Sequence, residues 1–146
     1  PGEVFDGGVA VIVATVGPDG RPAITRGWGP LYDTESRTLT IALTAPAGSA
    51  TLTNLEANGA IAVTGSQPLT YRTVQVKGVV DHVEAPSEQD RARAHEHLRR
   101  FVSDVIQLGI TSAADSLFLG DLRTVTFEAR ELYDQTPGPD AGRSLP

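Results

Sequence analysis

The stretch VAVIVATVGPDGRPAITRGWGPLYD, residues 9–33, decides the fold. Val9–Val16 is an unbroken apolar run rich in β-branched side chains, as in a strand buried on both faces. Pro18 presets φ, and Asp19-Gly20 supplies the turn and a positive-φ position, so GPDG at 17–20 folds the chain back. The returning strand runs from Arg21 to Tyr32 and carries Gly27 and Gly29 on either side of Trp28, the only tryptophan. Glycine inside a strand marks either a bulge that curves a sheet or a close approach by a ligand or backbone. Both readings stand at this point.

Working outward, DTESR at 33–37 makes a second turn, and Leu39, Ile41 and Leu43 then alternate with Thr38, Thr40 and Thr44. Three antiparallel strands in succession form a meander. The period then changes: Leu52 and Leu55 stand three apart in a short helix over Ala50–Asn58, with Ser49 as N-cap and Gly59 as its stop. Strands return at Ala60–Thr64 and Thr70–Val83. In the second of these, TYRTVQVKGVV at 70–80, Val74, Val76 and Val80 face one way and Thr73, Gln75 and Lys77 the other.

A long helix opens at Ser87, with Asp90 placed to close a capping box. Ala94, Leu98, Phe101, Val105 and Leu108 step down one face of it. Leu122–Leu132 reads as a last strand, and the Pro/Gly-rich tail after it as a loop or extended arm. The expectation is mainly β: a six-stranded antiparallel barrel with one short and one long helix packed outside. A single domain over 1–146 is expected, with 1–8 as lead-in and 134–146 as a C-terminal arm.

Composition removes several function classes. The chain of 146 residues carries no cysteine, hence no disulfide, thiolate metal site or cysteine nucleophile. A net charge of −6 argues against a nucleic-acid partner. No apolar run spans a bilayer and no signal-type segment opens the chain, so a cytoplasmic protein without a membrane partner is expected. Arg91, Arg93, Arg99 and Arg100 interleave with Glu88, Asp90, Glu96 and Asp104, the pattern of a solvated helix face. His95 and His97 lie on opposite sides of that helix and His82 on another element, so no metal site is expected. No phosphate-binding loop, dinucleotide fingerprint or nucleophile elbow is present. What remains is hydroxyl and backbone chemistry: Thr44, Ser49, Thr51 and Thr53 surround the start of the short helix, where they could bind an anion or simply cap it.

In order, GPDGRP, PAITRGWGPLYD, TLTIALT to NLEANG, and YRTVQVKG resemble the FMN-binding split β-barrel family typified by pyridoxamine 5′-phosphate oxidase. The resemblance implies a homodimer with FMN at the subunit interface. It places Thr25, Arg26, Gly27 and Trp28, in the segment ending at Pro30, along the flavin ring and phosphate. Thr44 falls where a hydroxyl meets the phosphate. Ser49, Ala50 and Thr51 stand in the family's Ser-Arg-Lys turn, and Arg72, Thr73 and Val74 in its Arg-Gln-Val strand.

Both basic residues of that turn are replaced, by Ala50 and Thr51, and Thr73 stands where glutamine is usual. Hydrogen bonds to a charged group contribute ~1.5–3 kcal/mol each, so losing two weakens phosphate binding by about 10²–10⁴ unless Arg26, Arg72, Lys77 or Arg143 compensates. The family's C-terminal Trp/Arg signature for pyridoxal substrates is absent as well. The function expected by resemblance is thus an FMN-dependent oxidoreductase of unknown substrate, not a true pyridoxamine phosphate oxidase, with no side-chain acid or base indicated. The alternative on the same scaffold is a non-enzymatic or altered-cofactor protein that takes deazaflavin F420 or haem.

Overall fold

The computed structural model describes residues 1–146, the side chain of Ala113 excepted. After a short helix α1 (Gly2–Phe5) come β1 (Ala10–Val16), β2 (Pro22–Asp33) and β3 (Thr38–Thr44). Helix α2 (Ala50–Asn58), β4 (Ala60–Ser66) and β5 (Thr73–Val79) follow. The long helix α3 (Glu88–Gln107) and the short α4 (Ala113–Ser116) precede β6 (Leu122–Glu128), β7 (Glu131–Asp134) and β8 (Arg143–Ser144). The strands form one curled antiparallel sheet in the order β6-β3-β2-β1-β4-β5-β7-β8.

The sheet has eight strands, not the six expected from the sequence. The run 122–132 divides because β6 pairs with β3 while β7 pairs with β5, so the chain changes partners near Ala129-Arg130. The eighth strand comes from the tail, which folds back so that Arg143 and Ser144 pair with Asp134 and Tyr133. A Pro/Gly-rich composition hides this, because the pairing is fixed by β7 and not by local propensity.

Inside the curl, Val11 and Val13 meet Leu39, Ile41, Leu43, Val63, Val76, Val125 and Phe127 in one continuous core. Gly27 belongs to this interior. A Cβ there would lie 2.4 Å from Ile41 Cδ1 and 2.9 Å from Val11 Cγ1, so the missing side chain lets β1 and β3 residues close over β2.

On the opposite face of β2, α3 packs over Trp28, Ala42, Leu119 and Leu122 through Ala94 and Leu98. The register of β2 on β3 shifts between Trp28 and Leu31. Gly29 takes φ +57° at this bulge, and a Cβ on it would come within 2.9 Å of the Arg93 backbone. Thus one glycine beside Trp28 serves the core and the other admits the helix backbone. Neither needs a ligand to explain it.

Helix α3 starts as its sequence dictates. Ser87 Oγ accepts from Asp90 N–H at 3.1 Å, and Asp90 accepts from Ser87 N–H at 3.0 Å. Asp90 also accepts from Arg93 at 2.7 Å and from the Thr124 hydroxyl at 3.2 Å, tying the helix to β6. Burial raises the Asp90 pKa, but the hydrogen bonds from Ser87, Arg93 and Thr124 outweigh it and hold the carboxyl below its usual value. Replacing Ser87 with alanine is expected to cost about 1 kcal/mol, read as a lower urea midpoint at unchanged slope.

Candidate functional site

Alternation along β1 sends Val11, Val13 and Thr15 inward and leaves Ala10, Ile12, Ala14 and Val16 on the outer face. The expectation of a strand buried on both sides therefore fails within one chain: Ile12 is 39% exposed, Val16 38% and Ile24 on β2 69%. Across the sheet the outer face is ordered in rows. One row runs Arg26, Ile12, Thr64, Gln75, Tyr133, Ser144, and its neighbour Ile24, Ala14, Ala62, Lys77, Glu131. The polar side of TVQVKG is thus the outer face of the sheet, where Gln75 donates to Thr64 Oγ1 at 3.0 Å.

At the β2–β3 end of this face a hollow of about 390 Å³ is lined by Ile12, Ile24, Thr25, Arg26, Thr44 and the segment Ser116–Phe118. Its walls are largely apolar, with Phe118 74% exposed. Two hydroxyls at its floor are already engaged. Thr25 Oγ1 donates to the Thr44 carbonyl. Thr44 Oγ1 donates to Leu119 O at 2.7 Å and accepts from Trp28 Nε1 at 2.8 Å. Ser116 Oγ donates to Ser112 O at 3.0 Å. Each hydroxyl has one proton to give. The Arg26 guanidinium, without a hydrogen-bond or ion-pair partner among the described residues, is therefore the hollow's free side-chain donor.

The remaining candidates are distributed elsewhere. Trp28 is buried, only 2% exposed, and braces Thr44 from beneath α3 instead of facing the hollow. Ser49 caps α2 by accepting from Leu52 N–H at 3.4 Å, and Thr51 is buried; neither lines the hollow. Arg72 is exposed and pairs with Glu3 at 3.5 Å. Thr73 shares a 2.8 Å hydrogen bond with Ser66 on the outer face. The chain thus gathers Thr25, Arg26 and Thr44 and leaves Ser49, Thr51, Arg72 and Thr73 outside that hollow.

Sequence reasoning missed Ile12, Ile24 and Ser116–Phe118 as lining residues. The signal for Ile12 was present: β1 is apolar at both parities although only one faces the core. The segment 116–118 carries no such mark, because its position follows from the loop between α3 and β6.

The family model for pyridoxamine 5′-phosphate oxidase matches residues 3–133 of the sequence. The chain belongs to the pyridoxamine 5′-phosphate oxidase family. The fold of this family member is similar to that of HupZ from Group A Streptococcus, with 13% identity, 97% of this chain and 95% of that chain covered, and a TM-score of 0.55. It is similar to an F420 reductase at 17% identity, with 89% and 93% covered and a TM-score of 0.55. General Stress Protein 26 from Bacillus anthracis follows the same path at 16% identity, with 90% and 87% covered and a TM-score of 0.53. At such identities the likeness is one of fold. No curated protein sequence matches the chain significantly.

Proposed function

We propose that this family member is an FMN-binding, oxidoreductase-like protein that works as a homodimer, with the cofactor between the outer sheet face of one copy and its partner. The observation that carries the reading is the exposed apolar set Ile12, Ile24 and Phe118 around the single unpartnered cation of the hollow, Arg26. Exposed large side chains at adjoining positions of a sheet mark a face that something covers. A flat apolar ring with an anionic tail matches an apolar hollow with one guanidinium, and about 390 Å³ lies within the range of ligand sites.

Ile12 and Ile24 would lie against the ring and Arg26 would hold the phosphate. Thr25 and Thr44 shape the floor through their bonds to the backbone and to Trp28. FMN, when bound, supplies the electron-transfer chemistry. No acid or base in the hollow is placed to act on a substrate, and no residue is assigned a catalytic role. Pyridoxamine phosphate itself is not the proposed substrate.

Titration of the purified protein with FMN, followed by quenching of flavin fluorescence, tests the reading. Saturable binding at micromolar concentration is expected, and Arg26→Ala should weaken it by about 10–100-fold through loss of a charged hydrogen bond. Absence of binding at that level, or equal affinity in the variant, would defeat the assignment. Sedimentation equilibrium reports the dimer separately.

A further inference from the structure

At the other end of the same face, across the Ile24–Ala14 pair from the hollow, lies a larger groove of about 480 Å³. Its floor is made of small side chains, Ala14, Ala60 and Ala62, and the pairing of Ala14 with Ala62 places two of them side by side on adjacent strands. Alanines at these positions leave a depression where larger residues would have made the sheet face level. The walls carry Lys77, Arg130 and Glu131.

The charges are arranged unequally. Arg130 N–H donates to Lys77 O at 2.9 Å, which fixes the two basic residues next to each other. Glu131, opposite Lys77 in the strand register, accepts the Tyr133 hydroxyl hydrogen at Oε2 and keeps its negative charge. The Lys77 ammonium lies 4.9 Å from the centre of the Tyr133 ring and forms no ion pair among the described residues. The Arg130 side chain likewise has no carboxylate partner among them. In a chain of net charge −6, Lys77 and Arg130 against the one carboxylate of Glu131 leave the groove with a net positive charge beside its apolar floor.

We propose that this groove is a second ligand site, selective for a flat aromatic molecule carrying one anionic group. The ring rests on the alanine floor and the anion meets Lys77 and Arg130. This assignment needs no flavin, and it requires that the partner copy of the proposed dimer leave this end of the outer face open.

Anilinonaphthalene sulfonate, an aromatic monoanion, and its uncharged analogue N-phenylnaphthylamine are suitable probes, both followed by fluorescence on the full chain. Saturable binding of the sulfonate is expected, with Lys77→Gln and Arg130→Gln each weakening it about tenfold. Neither change should alter binding of the uncharged analogue. Ala62→Leu, which fills the floor at an outward-facing position, should abolish both. These comparisons are made in an Arg26→Ala background, so that the neighbouring hollow offers the sulfonate no cation. The proposal is overturned if, in that background, binding is not saturable, if the glutamine variants match their parent, or if Ala62→Leu still binds.

Discussion

Replacing Trp28 with alanine is expected to destabilise the protein by about 3–5 kcal/mol, enough to unfold a large share of a marginally stable domain. The indole is almost wholly buried and is the centre of the cluster formed with Ala42, Ala94, Leu119 and Leu122. Removing it empties the space between α3 and the sheet and also breaks the Nε1 bond to Thr44. Small neighbours such as Ala42 and Ala94 cannot move in to refill that space. Trp28→Phe keeps most of the apolar contact and loses the hydrogen bond with part of the ring volume, for about 1–2 kcal/mol. Urea unfolding followed by circular dichroism measures both, since the only tryptophan is the residue replaced. A loss below about 1 kcal/mol in the alanine variant would show that the α3 contact carries little of the stability.

Acidification should produce the second large effect. His97 is 6% exposed, sits edge-on to Trp28 with ring centres 6.0 Å apart, and bonds to Val9 O through Nε2 at 2.9 Å. A carbonyl only accepts, so Nε2 carries the proton and Nδ1 is left as a buried acceptor without a partner. A second proton would place a charged donor at Nδ1 with nothing to receive it. Burial pushes the pKa down from 6.5 to about 4, with the Arg100 charge acting in the same direction against the Val9 bond. The unfolded chain therefore takes up a proton near its ordinary value, while the folded chain resists it. Stability is complete above about pH 6.5 and falls as the pH drops toward about 4, by about 3 kcal/mol at most.

The carboxylates act in a different window. Asp90 and Glu96 have lowered values, Glu96 to about 2 through bonds from Arg99 and Arg100, so their contributions are lost only at more acid pH. His97→Gln removes the titrating group. Between pH 6.5 and 4.5 the unfolding free energy of the wild type should fall and that of the variant should stay nearly level. Parallel slopes in the two proteins would assign the acid sensitivity to other groups.

The two histidines that the helix places near each other show what could be read in advance. Opposite sides of α3 follow from their spacing, and His95 is indeed exposed while His97 is buried. That His97 would meet Trp28 and the carbonyl of Val9 depends on the bulge at Gly29, which brings the Arg93 backbone down on β2. In the same way, the apolar stripe of α3 buries Ala94, Phe101 and Val105 but leaves Leu108 45% exposed, because the helix ends as the chain turns away from the sheet.

Local pattern by itself determined the hairpin at GPDG, the caps of α2 and α3, the inward set of β3 and β5, and the mainly β class. These are set by near neighbours: turn dihedrals, cap hydrogen bonds and a side-chain period of two act within a few residues. Tertiary structure alone decided that residues 122–132 serve two partners and that the tail supplies β8. It also decided that Arg26 stands unpartnered among the described residues between Ile12, Ile24 and Phe118, whereas Arg72, equally plausible in sequence, pairs with Glu3. Whether an arginine is free depends on which distant carboxylate the fold brings beside it, and that distance is not encoded in the residues flanking it.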